Sequence, residues 1–445
     1  MKLVYTTFLL FIISVGSVSA QEMPWTIDQC MRYAVERSTT VQKKVLEASS
    51  NNSDYHVAMA SFFPKINAEI SGQYNWGRNI DPETNTYNTV TTFNNYYNVY
   101  TSVYLFEGGQ IINQFKQAKV SRMQGYNNIQ KAQDDKALEV MQAFIDVAYY
   151  KGCIKLANDK LNDSKLLLKK TARQEELGIK GRPDVAQIKA QLAEDDYNLT
   201  HQQNLYNTAL LTLKSAMNYP SSDSLAVDAA LQQIIPSYRI ENTDEIYQYA
   251  SQKNPNVLDA AYNVQKAQYQ YNIEKGRLLP TLSLAAGVAT NYYKNLSNSG
   301  TALPFHSQFK NNRGEYIGMV LSIPIFNGTT HSSIKKSRNS IQIAQLDNEE
   351  IKRKLRTDIE QAVMDRNGYV KEIAQMENKV DADSLAYFVA HRKFEEGMLS
   401  AIDLHTSSIT LLQSRITLLQ KRMLYALKDR LVDYYKGLSL IKETK

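Results

Sequence analysis

The chain has 445 residues, 43% hydrophobic and 22% charged, with a formal net charge of +6. That balance is ordinary for a folded chain, and it lacks the basic stripe that nucleic acid demands, so no nucleic-acid partner is expected. The 29 tyrosines stand out against 18 glycines and 10 prolines, a bias that suits the aromatic girdles of a membrane barrel.

Residues 1–20 read as a signal peptide. Lys2 supplies the positive start, Leu9 to Val15 the apolar segment, and Val18-Ser19-Ala20 a small-residue cleavage site before Gln21. No cysteine follows that site to take a lipid. Beyond Ala20 no apolar run reaches the roughly 18 residues of a spanning helix. An exported chain that crosses a membrane without such a helix must do so as strands.

The first structural repeat is placed at 21–220. Its opening helix runs from Ile27 to Phe63, capped by Thr26 or Asp28 and stopped by Pro64. A strand at 66–77 follows. Ile66, Ala68, Ile70, Tyr74 and Trp76 alternate with Asn67, Glu69, Ser71, Gln73 and Asn75, giving one apolar and one polar face. About 9–11 tilted residues of this kind cross a bilayer. Arg78 to Asn94, with Pro82, reads as a polar outward loop, and 95–106 as the returning strand. Phe106-Glu107-Gly108-Gly109 then breaks the strand. No proline occurs from Gln110 to Pro183, which predicts one long helix at 109–175, a rod of about 100 Å. Gly178 ends it. Pro183 suits the first turn of the next helix, 183–218, with Asp184 beside it. Val185, Ile188, Leu192, Leu199, Tyr206, Leu210, Leu213 and Met217 follow a coiled-coil seam. Asp195 departs from that seam.

A connector at 221–242 leads to the second repeat, 243–445. A helix is expected from Asp244 to Leu279, kinked by Pro255. Strands follow at 281–293 and 316–326, separated by a polar loop from Lys294 to Glu315. Ile317, Met319, Leu321, Ile323 and Ile325 form the outward face, and Pro324 sits where a lost ladder donor is tolerated. Asn327-Gly328 opens a second long helix, 328–396, which Gly397 breaks. Ser400 and Asp403 read as a capping box for the last helix, 400–437. The repeat is legible as an offset. Asp28 and Asp244 lie 216 positions apart, Phe106 and Phe326 220, and Gly178 and Gly397 219. A period near half the chain means duplication into two structural halves.

Four strands cannot close a barrel, since the smallest membrane barrels have about eight. Open edges in a bilayer leave unpaired backbone groups, so several copies must share one barrel. Cys30 and Cys153 fall about 15 Å apart along the rod by helical rise, so two buried thiols are expected rather than a bridge. The six histidines are not paired at metal-ligand spacing, and no P-loop, nucleophile elbow or cysteine cluster is present. No enzyme activity, cofactor or metal is expected.

The order and spacing of these features resemble the TolC family of bacterial outer-membrane efflux proteins. The resemblance rests on the duplicated helix–β-hairpin–long helix–helix plan and on the strand entries Phe63-Pro64-Lys65-Ile66 and Leu279-Pro280-Thr281-Leu282. It also rests on the strand-to-helix junctions at Phe106, Gly108 and Gly109 and at Phe326 and Gly328, and on the two turns from Gly178 to Asp184 and from Gly397 to Asp403. It implies a mixed fold, a membrane β-barrel plus a long α-helical barrel. Four strands per chain would enter a shared twelve-strand barrel in a homotrimer, held in outer-membrane lipid and extending into the periplasm. Partners would be a periplasmic adaptor and an inner-membrane pump or exporter, with substrate leaving passively.

The resemblance also implies that the periplasmic tips gate the tunnel and dock the adaptor through Gly178, Asp184, Phe394, Gly397, Leu399, Asp403 and Thr406. Phe394 stands where the family has tyrosine, Leu399 where it has arginine, and Thr406 where it has a carboxylate. Asp403 matches, yet it can equally serve as the helix cap with Ser400, and Asp184 carries the same ambiguity. Another class stays open, a soluble periplasmic coiled-coil scaffold or adaptor, which would not need bilayer-length strands.

Overall fold

A computed structural model describes residues 24–81, 85–228, 235–297 and 303–441. The expected signal peptide, Pro82 and part of the connector lie outside the described residues.

The first helix, α1 (Ile27–Arg37), starts at a reciprocal cap. The Thr26 hydroxyl accepts from the Gln29 N–H at 3.3 Å, and the Gln29 side chain accepts from the Thr26 N–H at 2.8 Å. The single helix expected from Ile27 to Phe63 is broken. Ser38, at φ −66° and ψ 119°, ends α1 and caps α2 (Thr39–Ala60) through its hydroxyl. A similar break stands in the later half of the chain. Asn254 separates α5 (Thr243–Lys253) from α6 (Pro255–Gly276). Pro255 is therefore the first residue of a new helix and not a kink inside one. Its ring forces Asn254 into extended backbone, and its missing N–H costs nothing at that position.

The strands also depart from expectation. β1 (Lys65–Asp81) and β2 (Thr86–Glu107) continue through most of the expected loop, with Arg78 paired to Thr89 and Asn79 to Asn88. The threonines, Tyr87 and Val90 along that stretch favour strand. β3 (Thr281–Asn295) pairs with β2, and β4 (Gly314–Ser322) with β3, giving an antiparallel sheet in the order β1-β2-β3-β4. β4 stops short of the expected 326, just before Pro324, which has no N–H to donate. Ile325 and Phe326 beyond it are almost fully exposed, at 97% and 86%. The expected loop from Lys294 to Glu315 contains α7 (Phe305–Asn311). This short helix takes over the β3 edge where β4 ends. The Gln308 side chain accepts from the Tyr293 N–H and donates to its carbonyl, both at 2.9 Å, and Asn312 donates to the Asn291 carbonyl at 2.9 Å.

Register sorts the sheet into two faces. One row is Ile66, Thr101, Ala286 and Ile317, and the next is Asn67, Tyr100, Gly287 and Tyr316. One face is thus largely apolar and the other polar. Ile66, Trp76 and Ile317 are each about three-quarters exposed in the single chain. Among the described residues, the outer edges of β1 and β4 have no strand partner.

From the sheet grow two rods, α3 (Gln110–Glu176) and α8 (Gly328–Glu395). α4 (Arg182–Met217) packs along α3, and α9 (Ala401–Tyr435) along α8. The main apolar core gathers Cys30, Met31, Phe144, Val147, Leu213, Met217 and Met423 with the connector residue Val227. Trp25 stitches the connector on, donating to the Ala226 carbonyl at 2.8 Å and accepting from the Asp228 N–H at 3.0 Å. Cys30 and Cys153 are both buried free thiols.

Candidate functional site: the rod tips and the membrane sheet

Both rods end in the same way. Gly178 has φ +72° and Gly397 φ +78°, a backbone region that L side chains resist. At the first tip the Ile179 N–H donates to the Gln174 carbonyl and the Gly178 N–H to Glu175. At the second, Met398 donates to Lys393 and Gly397 to Phe394. These paired bonds satisfy the last carbonyls of each rod and reverse the chain.

The returning helices are capped differently. The Asp403 N–H donates to the Ser400 hydroxyl at 3.1 Å, and that hydroxyl donates to the Asp403 carboxylate at 2.6 Å. Asp184 instead accepts from the Gly181 N–H at 3.2 Å, because glycine offers no side-chain oxygen. Thr406 is exposed and donates to the Ile402 carbonyl of its own helix. Phe394 is buried among Leu167, Ile188, Ala401 and Leu404, with Leu399 packed against the group. The Lys180 ammonium sits 4.0 Å from the centre of the Phe394 ring, a cation–π contact between the two tips. Lys170 and Glu395 join the rods at 2.7 Å, and His405 faces Glu194 at 3.6 Å. The structure thus brings Phe394 and Leu399 into one apolar knot. Asp184, Asp403 and Thr406 stay on the surface, each bonded within its own helix end.

At the other end, the junction glycines permit a close crossing. Gly108 has φ +57°, and a Cβ there would lie 2.2 Å from the Gly276 carbonyl oxygen. Gly109, at φ +76°, caps α3, whereas the Asn327 side chain caps α8 by accepting from the Thr329 and Thr330 N–H groups. Phe106 pairs with Leu282 just past a register shift, and the β2–β3 ladder runs on to Glu107 and Thr281.

Two polar groups were not legible as sites. Asp195, noted only as a seam departure, accepts from the Ser164 hydroxyl at 2.5 Å and faces the Lys160 ammonium at 3.7 Å, all three buried. Burial pulls the Lys160 pKa down, and the Asp195 charge opposes that shift. Nearer the middle, Arg366 is fully buried. It donates to Glu241 and to the Arg239 carbonyl, both at 3.0 Å, while Lys436 also grips Glu241. The connector is thereby clamped to α8 and to the end of α9. Among the described residues no group of acidic, histidine or cysteine side chains could hold a metal ion. Among the described residues, no helix is long and apolar enough to cross a membrane.

Comparison with known proteins agrees with this architecture. The sequence profile of the family "Outer membrane efflux protein" matches residues 31–219 and 246–429. The chain is 22% identical over 325 residues to the outer membrane efflux protein BepC of Brucella suis biovar 1 (strain 1330), a match over 69% of this chain and 63% of that protein. It therefore spans less than two thirds of that relative's length. Among solved structures, CusC superposes with a TM-score of 0.79 at 14% identity, covering 92% of this chain and 91% of that one. VceC, an outer membrane protein of Vibrio cholerae, gives 0.79 at 13% identity, covering 92% and 96%. The open state of the Neisseria gonorrhoeae outer membrane channel MtrE gives 0.75 at 17% identity, covering 92% and 88%. One profile matches both halves of the chain, and the chain belongs to the outer membrane efflux protein family, whose members reside in the outer membrane.

Proposed function

We propose that the chain is the exit duct of a tripartite efflux or type I secretion system. Three copies close a twelve-strand barrel in outer-membrane lipid, and their rods form a tunnel through the periplasm. The carrying observation is the sheet itself, with one apolar face, one polar face and two outer edges that lack strand partners among the described residues. Such edges are untenable in lipid unless other copies pair with them. The apolar face turns to lipid and the polar face lines the passage. The duct performs no chemistry and moves nothing by itself. An inner-membrane pump supplies the energy, and a periplasmic adaptor joins that pump to the tips, where Gly178, Asp184, Gly397 and Asp403 shape the docking turns. The division into two repeats, 21–220 and 243–445 about a connector, follows from this reading.

Single-channel recording of the purified mature protein in a planar bilayer tests the proposal. The expected result is a small, stable, ion-selective conductance from an oligomer. Folded, helical protein that never inserts would overturn it in favour of the soluble scaffold.

A further inference from the structure

The tip positions named above make few bonds between helices. Phe394 and Leu399 are apolar, Thr406 back-bonds to its own helix, and Asp184 and Asp403 serve their own helix ends. The Lys170–Glu395 pair does cross between rods, but it is solvent-exposed, and exposed pairs hold little. The buried cross-link lies higher, about three turns above Asp184, where Ser164 of α3 bonds Asp195 of α4.

This cross-link is duplicated with its partners exchanged. Moving 219 positions along the chain turns Lys160, Ser164 and Asp195 into Lys379, Asp383 and Ser414. There the serine is on α9 and the carboxylate on α8, and Ser414 donates to Asp383. The lysine keeps its place one turn before the α8 member, 2.7 Å from Asp383. Each rod is thus tied to its returning helix by one serine–carboxylate bond beside a lysine. A polar residue on an apolar seam costs stability unless it is paired, and pairing across two helices fixes their register. The returning helices of the two repeats also meet, where Glu194 of α4 faces His405 of α9 at 3.6 Å.

We propose that the Ser164–Asp195 and Asp383–Ser414 bonds are paired register locks that set the width of the periplasmic mouth. This rests on the duct reading above. The four residues are positioning residues. They touch no cargo, and they hold each returning helix at one height along its rod. A rod that slips or unwinds against its partner must first break them.

The experiment is single-channel recording of the whole protein carrying Ser164→Asp, Ser414→Ala, or Ser164→Asp combined with Asp195→Ser. Ser164→Asp sets two carboxylates face to face and is expected to raise conductance at least twofold. Ser414→Ala removes the second lock without adding charge and is expected to raise it as well. The combined exchange rebuilds repeat one in the arrangement repeat two already uses, so it is expected to return conductance to the wild-type value. Wild-type conductance in both Ser164→Asp and Ser414→Ala would overturn the locks, as would a combined exchange that stays open. Wild-type protein that conducts no ions would instead refute the duct reading.

Discussion

Arg430 grips Asp28 through two parallel hydrogen bonds of 2.9 Å each, joining the last long helix of the chain to its first. The same guanidinium donates to the Leu440 carbonyl at 2.8 Å. A planar fork matches a carboxylate in a way that an ammonium cannot. Arg430→Lys therefore keeps the charge but loses the second bond and the hold on Leu440. A loss of about 1–3 kcal/mol is expected, read as a lower thermal midpoint in detergent. An unchanged midpoint would show that the clasp is incidental.

Arg366 is a sterner case because it is fully buried. Arg366→Met removes the buried donor from Glu241 and from the Arg239 carbonyl, leaving Lys436 as the remaining cation on Glu241 and the Asn367 amide on the carbonyl. Breaking a buried pair from one side costs about 3–5 kcal/mol. The connector near 235–242 is expected to become the first site of proteolytic cleavage in this variant. Cleavage elsewhere first would contradict the clamp.

The same clamp has a pH signature. Burial alone would raise the Glu241 pKa, but bonds from Lys436 and Arg366 outweigh it and hold the carboxyl below its usual 4.5. A depressed carboxylate contributes stability above that ordinary value, and the contribution is lost as pH falls through the lower folded value. Asp429 works the other way, its pKa raised by burial and by Asp433. It gains stability on acidification and so masks part of the loss. Below pH 4.5, connector protection should fall, and more steeply in Asp429→Asn than in the wild type. Protease protection that stays flat in both proteins would remove Glu241 from the account.

The tip glycines offer a test free of packing. A Cβ on Gly178 or Gly397 meets nothing within 4 Å. Alanine at either position should therefore cost only the left-handed backbone penalty, about 1–2 kcal/mol. Gly108→Ala should cost more, because its Cβ would collide with the Gly276 carbonyl. Thermal unfolding of the three variants side by side gives the ranking.

Thiol chemistry reports on the core. Burial pushes the Cys30 pKa up to about 12 and raises that of Cys153. Almost no thiolate exists at pH 8, and maleimide should label neither cysteine until the protein is denatured. Rapid labelling of Cys30 in native protein would mean that the core around Met31 and Phe144 is open.

Much of the architecture could be read before any coordinates. The alternation from Ile66 to Trp76, the proline-free run after Gln110 and the matched glycines at 178 and 397 announce strands, rods and turns through local chemistry. Errors arose where two local signals compete. Ser38 reads as an unremarkable residue inside a helical pattern, yet its hydroxyl can cap a new start, and tertiary packing of α1 and α2 chose the break. Residues 78–94 are polar, as loops are, but their threonines, Tyr87 and Phe93 also favour strand once a partner ladder is present.

At the site, the chain order alone could place Gly178, Asp184, Gly397 and Asp403 at turns, because a helix end is a local event. It could not say that Phe394 points into a shared apolar knot under Lys180, since the two residues are far apart in sequence and meet only when the rods lie side by side. Nor could it turn the stray Asp195 into half of a cross-link, because Ser164 lies on a different helix. Periodicity and backbone preference, which are short-ranged, were determined by sequence. Which polar group meets which was decided by the tertiary structure, because a buried hydrogen bond exists only where two distant segments pack at one fixed register.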